Sequence, residues 1–107
     1  MSDILTFHGD DVEPAPQEEA FFHVIPAPYE RTVSFGAGTC NGPEAILKAS
    51  CQLELFDNKT VPADLGIYTS APIYCSGSIK ETLQRIREAV TETLNFGKLP
   101  VLLGGEH

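Results

Sequence analysis

A parallel α/β sheet is the fold class this sequence predicts, and three observations predict it. Apolar runs without alternation stand at residues 20 to 25 and 99 to 103, as expected of strands buried on both faces. Two stretches of helical periodicity lie between them, at residues 43 to 54 and 78 to 94. The resulting order is strand, long loop, helix, strand, helix, strand, the pattern of right-handed crossover units.

The chain opens with an acidic segment. Asp3, Asp10, Asp11, Glu13, Glu18 and Glu19 fall in the first twenty residues, which contain no Lys or Arg, and Pro14 and Pro16 interrupt them. Residues 1 to 19 are therefore expected as a solvated, partly flexible N-terminal arm or surface loop, leaving residues 20 to 107 for the α/β domain. The first strand, residues 20 to 25, is bounded by Pro26 and Pro28. His23 lies inside it and is read as a packed core histidine rather than a ligand.

Residues 28 to 42 are loop-like, with Gly36, Gly38 and Gly42 and few large apolar side chains. Asn41-Gly42-Pro43-Glu44 then opens a helix. Proline suits a first helical turn because its missing N–H has no partner there, and Glu44 complements the positive end of the helix dipole. Ile46, Leu47, Ala49 and Leu53 give a stripe running to about Glu54. Residues 65 to 69 form a short strand between Pro62 and Pro72.

The second helix carries the clearest signals. Ser78 and Glu81 make a capping box ahead of Ile79, Leu83, Ile86, Val90 and Leu94, which fall on one helical face. That face is expected to pack on something apolar. Gly97 stands where a left-handed helix stop belongs. The last strand follows at residues 99 to 103, with Pro100 near its start.

Composition narrows the function classes. At 107 residues the chain is a single domain at most, with a thin core. No stretch approaches the roughly 18 apolar residues that span a bilayer. The start lacks the basic and apolar regions of a secretory signal, so the expected location is cytoplasmic. A net charge of −8 excludes nucleic acid and anionic membrane as partners, because phosphate recognition needs clustered Lys and Arg. Cys40, Cys51 and Cys75 form no CxxC pair and are expected as reduced thiols without an assigned role.

In parallel sheets functional groups collect just past the carboxyl ends of the strands. Two places qualify. Gly36-Ala37-Gly38-Thr39-Cys40-Asn41-Gly42 has the spacing GxGxxxG, not GxGxxG, and lacks a phosphate-binding Lys. Its glycines mark unusual backbone angles or close approach, not a nucleotide site. Gly104-Gly105-Glu106-His107 follows the last strand directly. A carboxylate beside an imidazole at that point fits a metal site or an acid–base pair, and also fits a bare strand end with an incidental histidine.

The run from His23 to Leu47, with Pro28-Tyr29-Glu30, Gly38-Thr39 and Gly42-Pro43-Glu44-Ala45-Ile46, resembles the opening of the ureohydrolase (arginase/agmatinase) family. Gly104-Gly105-Glu106-His107 is similar to that family's Gly-Gly-(Asp or Glu)-His motif. The likeness covers most of residues 20 to 107, and its wording is nearer to agmatinases than to arginases. It implies the N-terminal part of a three-layer α/β/α sandwich around a parallel sheet. It also implies a binuclear Mn²⁺ centre whose shared hydroxide attacks a guanidinium carbon, agmatine as substrate, and assembly as a homo-oligomer. By position His107 matches the first histidine ligand of the metal pair, and Glu106 the supporting acidic neighbour.

The sequence departs from the family where it ends. The family's Asp-x-His-x-Asp and Asp-x-Asp segments are absent from these 107 residues. A single imidazole does not retain Mn²⁺, so the isolated chain is expected to be inactive and to self-associate through its unpaired last strand. The competing reading is a non-catalytic module that associates with other subunits of the same fold.

Overall fold

The computed structural model describes residues 5–30 and 38–105. Three strands form a parallel sheet in the order β2-β1-β3, with β1 at Phe22–Ala27, β2 at Ile67–Thr69 and β3 at Leu99–Gly104. Helix α1 spans Gly42–Ala49 and α2 spans Ile79–Asn95. Side chains alternate across a strand, so Phe22 and Val24 face one layer and His23 and Ile25 the other. Leu47 of α1 packs with Val24 and Ile67, and Val101 and Leu103 join that cluster. Thr93 of α2 reaches His23 on the opposite face. The helices therefore lie on the two sides of the sheet, as the sequence predicts.

Strand β1 lies two residues later than expected and includes Pro26. The register explains how a central strand takes a proline. β2 pairs only as far as Val24↔Thr69, so Pro26 lies past the end of that ladder. β3 continues alongside to Ala27↔Gly104. Pro100 has a similar exemption. Leu99 N–H and Gly105 N–H both point to β1, at Phe21 O (2.8 Å) and Ala27 O (3.2 Å). Alternation turns the nitrogen of residue 100 the other way, where no described strand pairs with it.

Several expected boundaries shift for local reasons. α1 stops at Ala49 rather than near Glu54, because Ser50 Oγ donates to the Leu47 carbonyl at 2.6 Å and a 3-10 turn, Ser50–Gln52, replaces the helix. Its buried side is Pro43, Leu47 and Ser50. Ile46, Ala49 and Leu53, expected on the packed stripe, are exposed. β2 is shorter than residues 65 to 69, since Pro62–Leu65 form a 3-10 turn closed by Gly66 N–H on Ala63 O.

α2 starts and stops where predicted. Ser78 Oγ accepts from Glu81 N–H at 3.1 Å and donates to Glu81 Oε1. Gly97, at φ 74°, ends the helix with N–H groups of Gly97 and Lys98 on Leu94 O and Thr93 O. The packed face is a correction. Thr82 and Thr93 are buried, while Ile79, Leu83 and Leu94 are more than half exposed. Thr82 Oγ1 bonds the carbonyls of Ser78 and Cys75, and Thr93 Oγ1 that of Ala89. These bonds satisfy the hydroxyls against the sheet, so two threonines are turned inward, while Ile86 and Val90 of the expected face are half-buried.

The expected arm is described from Leu5 onward, and Asp3 lies outside the described residues. Its backbone crosses the domain: Phe7 N–H donates to Thr69 Oγ1, His8 N–H to Ser50 Oγ, and Ala15 N–H to Ile67 O. Asp10, Asp11, Glu13, Glu18 and Glu19 are exposed. No helix among the described residues is long and apolar enough to cross a membrane.

Candidate functional site at the carboxyl ends of the strands

β1 and β3 deliver their carboxyl ends side by side, and the chain turns sharply at both. After Ala27, Tyr29 N–H folds back onto Ala27 O at 2.8 Å, and the same oxygen accepts Gly105 N–H at 3.2 Å. Gly105 is thereby held against the exit of β1. A Cβ there would strike the carbonyl of Tyr29 and lie 2.9 Å from that of Thr39. Only glycine admits two backbone segments this close. Gly42, at the start of α1, also rests on the turn, since a Cβ on it would lie 3.4 Å from Gly104 O.

Glu30 closes the arrangement. Its Oε1 accepts from Gly38 N–H at 2.7 Å, Cys40 N–H at 3.0 Å and Thr39 Oγ1 at 3.1 Å. The amide of Cys40, then that of Gly38, with a smaller share from the Thr39 hydroxyl, hold this carboxyl below the ordinary glutamate range. The carboxylate thus bridges the two described ends of the glycine-rich loop. Sequence reasoning assigned Glu30 no role. The available signal was an acidic residue just past a strand, followed eight to ten positions later by Gly38-Thr39-Cys40.

A cavity of about 510 Å³ opens beside this turn, on the α2 side, between Ala27, Tyr29, Leu102, Gly105, Thr82 and Leu83. Its walls are chiefly apolar and offer no carboxylate among the described residues. His23 is remote in function. Its Nε2 faces Gln17 O at 2.8 Å and therefore carries the proton, and Nδ1 faces Thr93 Oγ1 at 3.4 Å. It is a buried structural histidine, as read from the sequence. Cys40, Cys51 and Cys75 are free thiols. Burial raises the Cys75 pKa, against a smaller opposing pull from Arg85, which disfavours its thiolate.

The residues singled out as metal ligand and neighbour, His107 and Glu106, lie outside the described residues, as does Gly36. Among the described residues no group of three or more His, Cys, Asp or Glu side chains is placed to hold a metal ion. The described part of the chain does not by itself fit a manganese centre. What it shows is a hydrogen-bonded strand exit at Gly105, the last described residue before Glu106 and His107.

Comparison with known proteins adds to this geometry. The chain is 42% identical to an N(1)-aminopropylagmatine ureohydrolase of Thermus thermophilus, over 87% of this chain and 33% of that protein. It is 29% identical to an agmatinase of Pyrococcus horikoshii, over 97% of this chain and 39% of that protein. The crystal structure of agmatine ureohydrolase of Thermoplasma volcanium superposes with a TM-score of 0.85 at 23% identity, covering 100% of this chain and 36% of that one. The chain thus spans about a third of the length of the relatives it matches. The family profile described as Arginase family matches residues 20–107, and the chain belongs to that family.

Proposed function

We propose that this chain is the N-terminal part of a manganese-dependent ureohydrolase that hydrolyses the guanidinium group of agmatine to putrescine and urea. The observation that carries the reading is the Gly104–Gly105 turn, fixed at the carboxyl end of β3 against Tyr29 and Thr39, in a chain of the arginase family. His107, two residues on, is proposed as the first metal ligand, with Glu106 as its supporting neighbour. Bound metal supplies a nucleophile at neutral pH in this reaction class. The residues described here contribute position: they hold the strand exit still and line an apolar wall beside it. A location in the cytoplasm and assembly into a homo-oligomer belong to the same reading.

Residues 1–107 alone are proposed to be inactive. A Mn²⁺ site needs several convergent oxygen and nitrogen ligands, and the described residues group none. The alternative, a non-catalytic module that associates with subunits of this fold, follows if the complete gene product also lacks them.

A second substrate is favoured by a specific observation. Relatives named N(1)-aminopropylagmatine ureohydrolase reach 42% and 40% identity, against 29% for the agmatinase above. Both compounds present the same reacting group, so the two readings differ in the tail that the enzyme accepts.

The test is urea release by the purified complete gene product with Mn²⁺, on agmatine and on N(1)-aminopropylagmatine. The expected result is turnover of at least one, with the ratio of kcat/KM naming the substrate, and loss of turnover in His107→Ala. No urea from either compound would overturn the enzymatic reading.

A further inference from the structure

We propose that Glu30 is a positioning residue for the strand-end turn: its carboxylate ties Gly38–Cys40 to the exit of β1, beside Gly104 and Gly105, the last described residues before Glu106 and His107. The inference rests on the reading of His107 as a functional residue and concerns the turn that precedes it in the chain.

Two backbone carbonyls, those of Tyr29 and Thr39, occupy the space that a side chain on Gly105 would need. They belong to separate segments, one leaving β1 and the other entering α1. Among the described residues no β-sheet pairing joins these segments. Glu30 does, being covalently next to Tyr29 and bonded through Oε1 to the Thr39 hydroxyl and to the amides on either side of it. One oxygen takes all three bonds. Hydrogen bonds to an ionised acceptor are about twice as strong as neutral ones, so a carboxylate suits the task better than an amide. With its pKa depressed by those amides, the group stays charged throughout the neutral range.

The arrangement also has directionality. Gly105 N–H and Tyr29 N–H converge on Ala27 O, which sets the height of the turn. The Glu30 clamp sets its lateral position. Loosening the clamp leaves the β-ladder intact while freeing one jaw. Its cost falls on the reacting geometry, where a displacement of about 1 Å reduces rate by about a hundredfold.

The experiment is hydrogen–deuterium exchange and steady-state kinetics on the complete gene product carrying Glu30→Ala, beside the parent and His107→Ala. In Glu30→Ala, exchange is expected to quicken together in peptides covering residues 38 to 42 and 103 to 105. In the same variant kcat falls by about tenfold to a hundredfold while KM changes less than about twofold. Should Glu30→Ala not fold, Glu30→Gln gives the same readouts. It keeps an acceptor oxygen but loses the charge, and its effects are expected to be smaller.

Faster exchange at 38 to 42 with 103 to 105 still protected would overturn the proposal, as would an unchanged kcat in an active parent. A parent inactive on both guanidino compounds would sink the function proposed above. The coupled exchange would then still decide whether Glu30 controls the turn.

Discussion

The two helices flank one sheet, yet they meet it by opposite means. α1 lays Leu47 onto Val24 and Ile67, an apolar contact with Pro43 and Ser50 on the same side. α2 buries Thr82 and Thr93, keeps Ile86 and Val90 half-buried, and leaves Ile79, Leu83 and Leu94 more than half exposed. The sheet explains part of the contrast. Its α1 face presents Phe22 and Val24, while its α2 face carries His23, whose Nδ1 lies 3.4 Å from the Thr93 hydroxyl. Hydrophobic periodicity states that a helix has an apolar face; it does not state which neighbour that face meets.

The comparison sharpens under mutation. The largest effect is expected for Leu47→Ala, which empties a buried leucine site and should lower unfolding free energy by about 2–5 kcal/mol in urea melts. Equal melting of parent and variant would mean that α1 does not anchor the sheet. Thr93→Val keeps the shape of the side chain but strips the hydroxyl from His23. Loss of this polar side-chain neighbour of Nδ1, which shares its hydroxyl with Ala89 O, makes a destabilisation of about 1 kcal/mol the expected result, and a gain would show that α2 prefers apolar contact there. Leu83→Gln should move stability by less than about 0.5 kcal/mol, since the side chain is largely exposed. A loss comparable to that of Leu47→Ala would place Leu83 in a packed interface instead.

What was legible in the sequence divides along similar lines. The limits of α2 were readable because Ser78, Glu81 and Gly97 act within a few residues of themselves. The parallel order of the sheet was readable because unbroken apolar runs imply cover on both faces. The end of α1 was hidden, because it depends on Ser50 Oγ turning back to Leu47 O while also accepting His8 N–H from far along the chain. In the candidate site Gly104 and Gly105 were visible as the exit of the last strand, but not what lies against them. That partner is the Tyr29 and Thr39 backbone, joined by Glu30. Such a contact pairs residues distant in the chain, with no periodicity to betray it.

Pro100 carries one further consequence. β3 has an outer edge on which the nitrogens of residues 100, 102 and 104 face away from β1, and the first of them bears no hydrogen. A strand arriving along that edge finds no donor at Pro100, whose carbonyl can still accept, and finds both donor and acceptor at Leu102 and Gly104. Pairing along that edge is thereby one hydrogen bond poorer at the beginning of β3 than at the end that carries the glycine turn.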